Sequence, residues 1–250
     1  MANGFDPRID GGTNPASTIG RADVAVDAGL RAHMLSVYNY MTSGVLLSGI
    51  VALLFASSGA VNSLINFNTG GPSGLGYLVM FAPLAIVLVM SFGIQRLSTG
   101  AAQVLYWAFA VIMGMSLSTI FLVYTQGSIA LTFFATAGAF AGLSLFGYTT
   151  KRDLSGMGTF LLMGVVGIFV ASIVNLFWMN DTFSLVIAAV GVLVFAGLTA
   201  YDTQKVKSLY FQVAGSDMMG KAAIMGALTL YLDFINMFLF LLRFLGNSRN

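Results

Sequence analysis

The chain has 250 residues, 58% of them hydrophobic and 8% charged, with a formal net charge of +2. A soluble domain carries about 25% charged residues, so this composition excludes a water-facing fold and indicates an all-α polytopic membrane protein. It contains no cysteine, which excludes disulfides, thiolate metal sites and cysteine nucleophiles, and the charge gives no case for a nucleic-acid partner.

Residues 1–36 read as a polar cytoplasmic arm. "MANGFDPRIDGGTNPASTIGR" has Gly, Pro, Asn and Ser without an apolar period, so disorder is expected. Within "ADVAVDAGLRAHMLSVYNYM" a short amphipathic helix leads into the membrane, and His33 reads as an exposed arm residue. "ASSGA" resembles a signal cleavage site, but the apolar stretch before it begins too late for a signal peptide.

A membrane span needs about 20 mostly apolar residues. Seven segments qualify, at about 39–61, 77–95, 101–124, 128–148, 158–178, 183–206 and 222–245. They form one transmembrane domain, 37–246, followed by a tail, 247–250. Gly138 with Gly142 and Gly114 with Ser118 have the small-xxx-small spacing that lets helices approach closely. Tyr106, Trp107, Trp178, Tyr201 and Tyr210 fall near span ends and read as interface anchors.

Basic residues alternate between the two sides. Arg8, Arg21 and Arg31 precede the first span, Arg96 follows the second, Lys151 and Arg152 the fourth, and Lys205, Lys207 and Lys221 the sixth. The other connections carry none. The positive-inside rule then puts the amino terminus in the cytoplasm and, with seven spans, the carboxyl terminus outside. Arg243 and Arg249 run against this; six crossings and a re-entrant last segment would accommodate them, but 222–245 is long enough to cross.

Three ionisable residues stand out. Asp233, in "LTLYLDFINMFLFLLRF", lies about 16 Å into the last span. Asp202, in "AGLTAYDTQKVKSLY", lies near the inner end of the sixth, and Arg96 ends the second on the same side. An aspartate at a helix centre costs about 2.5–3.5 kcal/mol to insert, so it turns inward and finds a partner. Helical spacing places Thr229, Asp233, Asn236 and Met237 on one face, and Thr199, Asp202 and Lys205 on another. The aspartates can face each other. Alternatively Asp202 is solvated at the interface beside Lys205, while Asp233 bonds to backbone or to Asn236. As a pair they would titrate together and respond to pH. They could also interact with calcium, although two carboxylates and Asn236 fall short of the six to eight oxygens it takes.

"YDTQKVKSLY", the block "YLDFINMF" and "SLSTIFLVY" closely resemble the Bax inhibitor-1 family, which includes the bacterial YccA-like proteins; the similarity covers about residues 25–246. The resemblance implies seven transmembrane helices with the last central in the bundle, a bacterial inner membrane location, and a pH-dependent calcium leak. It implies that Asp202 and Asp233 form the gate with Arg96, in "FGIQRLSTGAAQVLYWAF", as their arginine. It also implies an alternative: a non-conducting regulator or adaptor that binds a membrane complex such as the AAA protease FtsH. A third reading, an intramembrane aspartyl protease, finds its "YD" at Tyr201–Asp202 but no "GxGD" at Asp233. No enzyme activity and no cofactor are therefore expected, with calcium at most a permeant ion.

Overall fold

The computed structural model describes residues 15–248 other than Asn68, and side chains from Val26 onward. Helix α1 (Pro15–Ser57) leads through a 3₁₀ turn (Ala60–Leu64) and a two-residue hairpin, β1 (Ile65–Asn66) with β2 (Gly71–Pro72), to α2 (Gly74–Gly93). There follow α3 (Thr99–Leu117), the single turn α4 (Ile120–Val123), α5 (Gln126–Thr149), α6 (Ser155–Trp178), α7 (Asp181–Val213) and α8 (Met219–Leu245). Among the described residues seven helical segments are long and apolar enough to cross a membrane, α3 and α4 together making one of them. The chain is a polytopic membrane protein.

Local chemistry starts these helices where the apolar runs begin. Ser73, Ser98, Thr125 and Asn180 each accept a hydrogen bond from a first-turn N–H, which satisfies a donor that the helix itself leaves orphaned. After α7 the chain turns through Gly215 at φ 75°, a left-handed conformation that glycine adopts without strain. The end of α8 is tied to the start of α5, where the Asn247 N–H donates to Ser128 Oγ at 2.9 Å and Thr125 N–H to the Asn247 carbonyl at 3.1 Å.

Helix α8 is the axis of the bundle. Of its most apolar stretch 61% is buried, against at most 39% in any other span. It packs against α1, α3, α5 and α7. Phe234 of α8 meets Phe133 and Phe140 of α5 edge-on, and Tyr231 meets Phe109 of α3. A three-helix joint sits beside these rings: Ser48 of α1 donates to the Ala110 carbonyl of α3 at 2.6 Å and shares a 2.7 Å hydrogen bond with Tyr231 Oη. Burying one polar side chain with all its bonds made fixes the depth at which three apolar helices meet.

Several details depart from the sequence reading. The arm expected to be disordered is helical from Pro15, continuous with the first span, and residues 1–14 lie outside the described residues. His33 is 4% exposed and rests on the ring of Tyr210. Tyr106 and Tyr210 are core residues rather than interface anchors, and Tyr106 Oη donates to the Tyr40 carbonyl at 2.7 Å. Gly114 does bring α3 onto Ser48 and Val51 of α1, but Gly138 and Gly142 face open space. The close approach of α5 is instead at Gly147, where a Cβ would collide with the Ala200 carbonyl of α7.

Candidate functional site

The segment "YDTQKVK" belongs to the interior of α7, which continues to Val213 rather than ending near 206. Three of its polar side chains, Thr203, Gln204 and Lys207, have partners on neighbouring elements. Thr203 Oγ1 lies 3.0 Å from Ser144 Oγ of α5, which in turn lies 2.6 Å from Tyr38 Oη of α1. Gln204 clamps the turn between α5 and α6, donating from Nε2 to the Arg152 carbonyl and accepting from the Leu154 N–H, both at 2.8 Å. Lys207 donates to the Tyr148 carbonyl at 2.8 Å, a cation on the exposed carbonyl end of α5. Tyr201 lies against Gly158 of α6.

These bonds fix the rotation of α7 and leave Asp202 directed at α8. There its carboxyl comes within hydrogen-bonding reach of the carboxyl of Asp233. A hydrogen bond between two carboxyls requires that one of them carry a proton. Asp202 is 7% exposed and Asp233 4%. Asp233 stands midway along α8, and Oδ2 of its carboxyl accepts no hydrogen bond from an N–H or hydroxyl among the described residues. Helix α7 continues for about three turns past Asp202, so that residue lies inside the helix and not at its end.

The other residues expected at the site are elsewhere or otherwise engaged. Arg96 lies exposed in the turn after α2 and makes no ion pair among the described residues. Lys205 stands one turn beyond Asp202 on α7, exposed and over the ring of Tyr201. Asn236 and Thr229 share a face with Asp233 but bond back to their own helix, Nδ2 to the Leu232 carbonyl at 2.8 Å and Oγ1 to the Met225 carbonyl at 3.1 Å. No cluster of three or more histidine or acidic side chains suited to a metal occurs among the described residues. The pair alone offers too few oxygens to hold calcium at rest.

The hydroxyl chain Tyr38–Ser144–Thr203 and the joint at Ser48 escape a reading of sequence. A Ser or Thr in an apolar helix bonds to its own preceding turn by default, as Thr203 does to the Thr199 carbonyl at 2.7 Å. Only packing reveals a second partner.

Comparison with known proteins agrees with the fold and the motif. The chain is 48% identical over 225 residues to an uncharacterized protein of Rickettsia prowazekii, covering 90% of this chain and 93% of that one. It is 48% identical over 224 residues to the inner membrane protein YbhL of Escherichia coli K12, covering 89% and 94%. A protein of Caulobacter vibrioides is 47% identical over 234 residues, covering 92% and 94%. The family model described as inhibitor of apoptosis-promoting Bax1 matches residues 30–250, a stretch that carries both aspartates. The chain thus belongs to the Bax inhibitor-1 family.

Proposed function

We propose that this protein is a pH-sensitive, calcium-permeable leak of the bacterial cytoplasmic membrane, gated by the contact between Asp202 and Asp233. The observation that carries the reading is the meeting of two buried carboxyls, Asp202 and Asp233, where the central helix packs on its main neighbour. With a proton between them, a hydrogen bond ties α7 to α8. Without it two anions face each other in a setting of low dielectric, where repulsion is strong, and the helices part. A two-state element biased by one proton is what a pH gate requires. The pair is read as a gate and not as a catalytic dyad, with calcium as the permeant ion and the amino terminus in the cytoplasm.

The competing reading is a non-conducting adaptor for a membrane protease or another membrane complex. Helix α1 starts at Pro15, well ahead of the apolar run that begins at about residue 39, which leaves helix for such a contact. Purified full-length protein in liposomes loaded with a calcium-sensitive dye separates the two. The leak reading expects calcium entry above that of empty vesicles, and a rate that changes when external pH is stepped. Entry no faster than in empty vesicles at every pH leaves the adaptor.

A further inference from the structure

A groove of about 640 Å³ runs along the bundle between α1 and α5. Both helices lean on α8, and Phe140 and Phe234 form the floor between them. Its lips are Leu35 and Leu46 of α1 and Leu145 of α5, each more than half exposed, so it opens sideways toward the bilayer. Its polarity is graded. The end lined by Val45, Leu46, Phe133 and Ala137 is apolar, whereas the other end carries Tyr38, Ser144, Tyr148 and, at the rim, Arg31.

Arg31 is exposed and has neither an ion-pair nor a hydrogen-bond partner among the described residues. A second cation flanks the same rim, because Lys207 sits 5.0 Å over the ring of Tyr148. An unpaired guanidinium at the mouth of an apolar slot is complementary to one kind of neighbour in a membrane, an anionic headgroup on a hydrocarbon tail. The guanidinium fork suits phosphate oxygens, and its stem can lie along the apolar lip. The dimensions agree. Arg31 to Leu46 spans about 22 Å of helix, more than the roughly 15 Å of hydrocarbon in one leaflet.

We infer that this groove is a binding site for an anionic phospholipid, one acyl chain lying between α1 and α5 and the phosphate at Arg31. The lipid comes from the leaflet on the amino-terminal side. Its chain touches the wall that Ser144 shares with Thr203, the neighbour of Asp202.

The test is photocrosslinking in nanodiscs of equimolar phosphatidylglycerol and phosphatidylcholine, using the full chain and a diazirine in the acyl tail of one lipid at a time. Crosslinks from the phosphatidylglycerol probe are expected on α1 residues 34–46 and α5 residues 133–145. They should exceed those from the phosphatidylcholine probe about fivefold, the worth of one basic residue near a charged headgroup. Arg31→Gln should abolish that preference. Ala141→Trp, which fills the groove, should remove the crosslinks, and Ala137→Phe should do the same one turn along. Leu131→Trp, on the 74% exposed side of α5, should leave them unchanged. Crosslinks spread evenly over the lipid-facing helices, an equal yield from both probes in the wild type, or full competition by free palmitate at equal concentration would overturn the proposal.

Discussion

The carboxyl of Asp202 on α7 lies within hydrogen-bonding reach of that of Asp233 on α8, and both are buried. The pair links the most buried helix to the element it touches most extensively. Asn in place of either Asp keeps the size and a hydrogen-bonding group but no titrating proton. Asp202→Asn and Asp233→Asn are each expected to flatten the pH dependence of calcium entry into proteoliposomes while the protein remains folded by circular dichroism. Two well-folded variants with the wild-type pH profile would remove the pair from the gate.

Lys205 lies one turn beyond Asp202 on α7, whereas Arg96 makes no ion pair among the described residues. A positive charge favours ionised carboxylates, so its removal shifts the response to higher pH. Lys205 is exposed, and an exposed helical pair is worth about 0.3–0.5 kcal/mol; at 1.36 kcal/mol per unit this is about 0.2–0.4 pH unit. Lys205→Gln should move the midpoint of the flux profile upward by that amount. Arg96→Ala should leave it in place, since that side chain makes no contact with either aspartate in this structure. A larger shift for Arg96→Ala than for Lys205→Gln would mean that Arg96 reaches the pair in another state.

The lack of cysteine in the chain makes topology simple to test. Single cysteines at Ser216, in the turn after α7, and at Ser63, before α2, are both exposed and separated by an odd number of crossings. A membrane-impermeant thiol reagent applied to intact spheroplasts is expected to label Ser63→Cys and not Ser216→Cys, with the reverse in inverted vesicles. Ser128, also on the expected outer side, is unsuitable because its hydroxyl accepts from the Asn247 N–H. Labelling of both positions from one side would overturn the seven-span topology.

The spans and the aspartates were readable from sequence for the same reason: hydrocarbon tolerates long apolar runs and penalises charge. A lone carboxylate such as Asp233 is therefore conspicuous among leucines and phenylalanines. Boundaries were less readable. The polar run after Asp202 looks like the end of a helix, yet Thr203, Gln204 and Lys207 extend α7 because α5 and the turn after it supply their partners. The same logic buries His33: it is polar in sequence, but the α1 face that carries it meets Tyr210. Arg96 illustrates the limit of spacing, which marks it as a span-end cation, whereas only tertiary structure shows that it lies exposed in the turn after α2.

The glycines provide the last test, because spacing and structure give opposite expectations. Gly138 and Gly142 have the GxxxG pattern, yet a Cβ at either would meet nothing within 4 Å. Gly147 lies outside the pattern, yet a Cβ there would collide with the backbone at Ala200, two residues before Asp202. Backbone cannot rotate away as a flexible side chain can, so α5 and α7 must separate. Overpacking of this kind costs about 1–3 kcal/mol, and each kcal/mol lowers Tm by about 2–4 °C in a chain of this size. Gly147→Ala is thus expected to melt several degrees below wild type in detergent, and Gly138→Ala at or slightly above it, since alanine is the better helix former by about 1 kcal/mol. The displacement also bears on the site. Separation of α7 from α5 strains the Ser144–Thr203 contact that sets the rotation of Asp202, so Gly147→Ala should blunt the pH response of calcium entry in the temperature range where it is fully folded. A Gly147→Ala protein as stable as the wild type, with an unaltered pH profile, would show that the packing of α5 on α7 does not position the aspartate pair.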